Sequence, residues 1–283
     1  MINYKPYKMG FICNQKVMAR GTYISENLSQ HQIDFMLVLE ENEMDIFNLS
    51  ELKDMVNDSF SDVNDLVENL VHKKILSRIE RGKYCRSNFR DENVIGTFVA
   101  RESAIAYWSA LNAHGLTEQF PNTIFVQTTF PKKNKTIFGT KYQFVRIAER
   151  KRCGIQKLGY GYHSYSITDV EKTIIDCFDL PQYSGGYAEL IKAFREAKLR
   201  PSKMIDYCEA IDNIALTKRM GFLSEFLEKP GMKTFVKYAK TKVNPKYNLL
   251  DPQGGDSGEF IADWKLRLNI SKQEIVGIVD KQY

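Results

Sequence analysis

Between positions 73 and 90 the chain carries Lys73, Lys74, Arg78, Arg81, Lys83, Arg86 and Arg90, opposed by Glu80 alone. Cations at this density neutralise phosphates and release counterions, an attraction indifferent to base sequence. Just upstream, Ser59, Ser61 and Asn64 are short polar side chains suited to base edges or backbone. A solvated basic face is the plain alternative. A second run, Lys132, Lys133, Lys135, Lys141, Arg150, Lys151 and Arg152, suits nucleic acid or an acidic partner protein. It lacks the dense aromatic interleaving of a base-stacking platform.

Other chemistry is thinner. Asp263-Trp264-Lys265, with Asp256 and Glu259 upstream, has the D-x-K form of half a restriction-type nuclease site, a short pattern common by chance. Ser184-Gly185-Gly186 before a helix has the makings of an anion nest, but no Lys-Ser/Thr follows, and a tight interhelical turn fits better. His114 and His163 have no neighbour at metal-ligand spacing. The five cysteines form no C-x-x-C pair, and no Gly-x-Ser-x-Gly element occurs. These residues predict neither an enzyme nor a bound metal or cofactor.

The elements beneath the first basic run are legible. Val63, Leu66, Val67, Leu70 and Val71 recur on one face of a helix. Ile75 and Ile79 bracket a strand, Glu80-Arg81-Gly82-Lys83 reads as a turn, and Tyr84-Cys85-Arg86 returns. Two helices precede this unit, at Gln30–Glu41 behind Ser29 as N-cap and at Leu49–Val56, with Asp45-Ile46-Phe47 as a connector. Three helices and a hairpin in this order predict a winged helix-turn-helix. The outer face of the third helix carries Ser61, Asp65, Glu68 and His72, with Asp62 at its flank. Carboxylates there repel phosphate, so binding led by the hairpin wing is expected.

The rest predicts a larger mixed α+β domain. Its expected elements are a helix from Glu102 to His114, strands at Thr123–Thr129, Tyr142–Ile147 and Ile155–Ile167, the last broken by Gly159 and Gly161, and a helix behind the capping box Thr168-x-x-Glu171. Helices follow at Tyr187–Lys198, from Pro201 through Ile211, and at Ile214–Leu227 with an interruption at Gly221. Phe260–Leu268 and Glu274–Val279 read as late strands. Lys172, Asp176 and Lys218 are expected on the surface.

The fold class is therefore α+β in three parts. Residues 1–28 are a basic arm, 29–92 the winged-helix domain, and 93–283 the C-terminal domain. At 283 residues there is room for two cores. An apolar fraction of 43% and charged fraction of 27% are ordinary for globular protein. The net charge of +5 divides into −3 for residues 1–92 (12 Lys/Arg against 15 Asp/Glu) and +8 for 93–283 (28 against 20). No apolar run approaches a membrane span and the N-terminus lacks a signal-peptide core, so a reducing cytoplasm is expected.

Several segments resemble AbiE-type antitoxins, the AbiEi family of transcriptional regulators. They are Ser109-Ala110-Leu111, His114-Gly115-Leu116-Thr117-Glu118-Gln119, Val126-Gln127-Thr128-Thr129, Ile167 through Cys177, Tyr183-Ser184-Gly185-Gly186 and Lys218 through Leu223, with Ile79 through Tyr84 in the wing. The resemblance spans roughly residues 30–230. It implies an autorepressor that binds inverted repeats in its own promoter DNA and counters a nucleotidyltransferase toxin without requiring a stable complex, as in type IV modules. The chain would be a monomer or a dimer induced by DNA. The acidic third helix and the N-terminal arm depart from that pattern. Two alternatives stand beside this reading, a metal-dependent nuclease using Asp263 and Lys265, and a winged-helix repressor that senses a small ligand.

Overall fold

The computed structural model describes residues 27–56 and 60–280. The expected basic arm lies outside these residues except for Asn27 and Leu28, and Ser59 lies outside them as well. The chain is mixed α+β and divides after Phe89 into two compact units. Asp91 belongs to the second unit, where its side chain caps a helix by accepting from the Val94 amide at 3.0 Å.

The first unit runs α1 (Gln30–Glu41), β1 (Ile46–Asn48), α2 (Leu49–Val56), α3 (Val63–His72), β2 (Leu76–Glu80) and β3 (Lys83–Arg86). Ser29 opens α1 with a full capping box, its hydroxyl on the Gln32 amide and the Gln32 side chain on its own amide. The strands form an antiparallel sheet in the order β1-β3-β2. The expected connector Asp45-Ile46-Phe47 is thus the third strand, Phe47 pairing with Tyr84 and stacking on its ring at 6.0 Å. Three residues are too short a run to show alternation, so only the pairing reveals them. Phe35, Leu39, Phe47, Leu52, Val67, Leu70 and Leu76 fill the core.

The second unit is built on a six-stranded sheet in the order β6-β7-β5-β4-β9-β8. Its strands are β4 (Ser103–Ile105), β5 (Thr123–Thr128), β6 (Lys135–Ile137), β7 (Thr140–Arg146), β8 (Ile155–Leu158) and β9 (Tyr165–Thr168). Helices α4 (Glu92–Val99), α5 (Tyr107–Ala113), α6 (Val170–Asp179), α7 (Tyr187–Glu196), α8 (Pro201–Ile211), α9 (Ile214–Phe226), α10 (Lys233–Thr241) and α11 (Lys272–Asp280) accompany it. A small sheet joins β10 (Asn248–Leu249), β12 (Leu266–Leu268) and β11 (Glu259–Ile261).

Four expectations are corrected here. The helix expected from Glu102 begins as a strand, because Ser103–Ile105 pairs with β5 and only Tyr107 onward is helical. Thr168 ends β9 rather than capping α6. The cap is Asp169, which accepts from the Lys172 amide at 2.9 Å, while Glu171 turns away to Arg200. Gly221 does not interrupt α9. A Cβ there would lie 2.4 Å from the Trp264 ring and 2.7 Å from Ala239, so glycine lets α10 and the tryptophan approach. Glu274–Val279 lies in a helix, opened by reciprocal bonds between Ser271 and Glu274 and anchored by buried Ile275.

Candidate nucleic-acid interface

Helix α3 ends in a Schellman motif. The Ile75 amide reaches the Leu70 carbonyl and the Lys74 amide reaches Val71, both at 3.0 Å, while Ile75 and Leu70 share the core. The left-handed residue in such a cap is usually glycine, and here it is Lys74 at φ +60°. Its side chain is exposed and has no ionic partner among the described residues. At the hairpin tip Gly82, at φ +74°, supplies the left-handed turn, and Arg81 beside it is likewise exposed and unpaired among the described residues. The Gly82 carbonyl accepts from the Leu49 amide at 2.8 Å, which fixes the tip to the start of α2. The register shift between Arg78 and Glu80 adds twist to the hairpin.

Lys73, Arg78, Lys83 and Arg86 are engaged within the unit, whereas Arg90 opens the second unit and lies 4.2 Å over the Phe138 ring. Arg78 binds Glu68 of α3, and the Tyr84 hydroxyl donates to the same carboxylate oxygen at 2.7 Å. The Arg78 hydrogen bond, with that of Tyr84, outweighs burial and holds the Glu68 carboxyl below its usual range. The acidic outer face of α3 is thereby partly neutralised by the hairpin itself, leaving Asp65 exposed beside Ser61 and Asn64. Arg86 lies 2.9 Å from Asp45 and 3.8 Å from Glu40. Lys83 pairs with Glu80 at 3.1 Å. Lys73 donates to the Asn27 carbonyl and the Gln32 side chain, both at 2.7 Å, tying α3 to the start of α1.

The second basic run does not form one patch. Lys135 and Lys141 sit on the β6–β7 hairpin and Lys133 precedes it. Lys132 lies 6.0 Å from the Phe144 ring. Arg150, Lys151 and Arg152 follow the far end of β7, which is about 17 Å of strand from Lys141 at the usual rise per residue. There Arg150 caps the end of α8 through the carbonyls of Ala210 and Ile211, at 2.6 and 2.8 Å. Lys151 binds Asp179 at 2.6 Å, and Arg152 is exposed.

The surface expected for Lys172, Asp176 and Lys218 is also corrected, since they are 0%, 3% and 0% exposed. Lys172 and Asp176 form an ion pair inside the core. Beside it the Tyr207 hydroxyl and Lys203 bind Asp169, and Arg200 binds Glu171 at 2.9 Å. Lys218 closes the loops around the small sheet through the Lys246 and Lys265 carbonyls and the Asn244 side chain. The spacing of these charges is that of an amphipathic helix, and nothing local marked the helix as covered on both sides. The Asp256, Glu259, Asp263 and Lys265 set does not converge. Asp256 pairs with Arg267, Glu259 pairs with Lys272, and the Lys265 ammonium lies over the Tyr247 ring. Among the described residues no three His, Cys, Asp or Glu side chains are placed to share a metal ion. None of the described helices is long and apolar enough to cross a membrane.

No protein-family model matches the chain, and no curated protein sequence matches it. Among solved structures, the RV2827C protein from Mycobacterium tuberculosis is similar in fold, with a TM-score of 0.63 at 12% sequence identity, over 95% of this chain and 100% of that one. At such low identity the likeness concerns the fold alone.

Proposed function

We propose that residues 29–89 form a winged helix that binds double-stranded DNA, and that the chain is an antitoxin and autorepressor of an abortive-infection module. The order helix, strand, helix, helix, strand, strand and the three-stranded sheet support the winged-helix reading. The observation that carries DNA binding is a pair of exposed cations with no ionic partner among the described residues, Lys74 at the foot of the wing and Arg81 at its tip. The resemblance to AbiE-type antitoxins supports the second half, in which residues 90–280 counter a nucleotidyltransferase toxin.

The test uses the full chain, a labelled duplex from the DNA upstream of its gene, and a salt series. Arg81→Ala is expected to flatten the salt dependence by about one unit, and Lys74→Gly by about one more. Lys74→Gly is also expected to stabilise the fold by roughly 1 kcal/mol, since glycine adopts the left-handed cap without strain. Affinity unchanged in the double variant would overturn the wing assignment.

A further inference from the structure

Helix α1 is apolar on more than one side. Ile33, Phe35, Met36, Leu37, Val38 and Leu39 fall within its twelve residues, yet of these only Phe35 and Leu39 are buried. A surface helix ordinarily keeps its apolar residues to one stripe. Ile33 and Leu37 lie one turn apart on the face turned away from the core, and they are 38% and 51% exposed. Carboxylates flank them. Asp34, Glu40 and Glu41 are all exposed. Arg86 comes no nearer to Glu40 than 3.8 Å, and Glu41 has no ionic partner among the described residues. Residues 27–56 as a whole carry one Lys/Arg against seven Asp/Glu.

The segment ahead of α1 has the matching character. Residues 1–26 carry Lys5, Lys8, Lys16 and Arg20 against Glu26 alone. Of these 26 residues 13 are apolar, a larger share than the 43% of the whole chain. A tail meant only for solvent is poor in such side chains. The segment joins the helix at a fixed point, where Lys73 holds the Asn27 carbonyl at 2.7 Å and Leu28 packs against the core of the first unit. Twenty-six residues are ample to cover the face from there. A twelve-residue helix is about 18 Å long, which an extended chain spans in about six residues. A tethered segment also meets its site at an effective concentration on the order of millimolar, so a weak contact suffices. A second copy of the chain lacks that advantage and would set one acidic face against another.

We propose that residues 1–26 dock on this face of α1, their apolar side chains covering Ile33 and Leu37 and their cations meeting Asp34, Glu40 and Glu41. The basic groups of the segment then serve the first unit itself. The inference does not depend on DNA binding by that unit.

Trypsin cleavage after Lys16 and Arg20 in the full chain tests it. The parent is expected to be cut slowly there. Ile33→Ser with Leu37→Ser is expected to be cut on the order of tenfold faster, because these surface changes remove the apolar contacts and leave the core alone. Carbodiimide joins an amine directly to a carboxylate, and in the parent it is expected to link Lys5, Lys8 or Lys16 to Asp34, Glu40 or Glu41. An equal mixture of light and heavy-isotope protein shows whether each link lies within one chain. The same cleavage rate in the double variant would overturn the proposal. So would the absence of any link from residues 1–26 to α1. Links found only between light and heavy chains would overturn it too, and would make a second copy the occupant.

Discussion

The two units use charge in opposite ways. In the first, Arg78–Glu68 and Lys83–Glu80 lie at the surface or half-buried, and among the described residues the buried side chains are apolar apart from Gln32 and the Tyr84 hydroxyl. In the second, α6 carries Glu171, Lys172 and Asp176 into the interior, where Arg200, Lys203 and Tyr207 meet them and their cap Asp169. Surface pairs contribute little because water competes for both partners. Buried pairs contribute little net as pairs, yet losing one partner strands the other in a medium that cannot solvate it. The same residue types are therefore dispensable in one unit and indispensable in the other.

The sharpest way to break this comparison is Lys172→Met. It leaves Asp176 charged or forces it to take up a proton, and burial already pushes that carboxyl above its usual range. A loss of roughly 3–5 kcal/mol is expected in urea unfolding, with most of it regained on adding Asp176→Leu. A single variant as stable as the parent would show that the pair is not closed to water.

Next in size is a pH effect centred on Lys229. Its folded pKa, near 8, lies below the unfolded value of about 10.4. Above pH 8 the unfolded chain holds a proton there that the folded chain has released. Stability therefore rises with pH through this window, by about 1–2 kcal/mol between pH 8 and 9.5. Lys218 is lowered to about 8 by burial and acts in the same direction. Lys229→Met is expected to remove about half of the rise in denaturant midpoint, and an unchanged rise would assign it elsewhere.

The smallest effect sharpens the contrast from the first unit. Glu68→Gln keeps an acceptor for the Tyr84 hydroxyl but removes the charge held by Arg78. At these exposures the cost in stability is expected to stay below about 1 kcal/mol. If the wing meets DNA, the released guanidinium steepens the salt dependence of binding by about one unit. Weaker binding would mean that Glu68 itself faces the duplex favourably.

Much of the first unit was readable because its signals are local. Ser29 with Gln32 starts α1, the 3–4 spacing of Val63 to Val71 marks the buried face of α3, and Gly82 marks the wing turn. The same kind of signal misled elsewhere. Thr168-x-x-Glu171 looks like a capping box, yet Thr168 already belongs to a strand. Ser271-x-x-Glu274 is such a box, although Ile275, Val276, Ile278 and Val279 suggest a strand by composition. Where a segment is short or strongly β-branched, the partner it packs on decides its form. For α11 that partner is α7, and Ile275 on α11 is wholly buried.

The sequence by itself determined which segments could be helix or strand, where the basic side chains concentrate, and that one run of them lies on a hairpin. Only the tertiary structure decided which of those cations remain available. Arg78 and Arg86 are drawn to carboxylates at distant positions, Glu68 and Asp45, while Lys74 and Arg81, at the two ends of the hairpin, meet no ionic partner among the described residues. A local pattern specifies a residue's own conformation, whereas the partner that meets its charge is set by how the chain folds back, and no spacing rule carries that information.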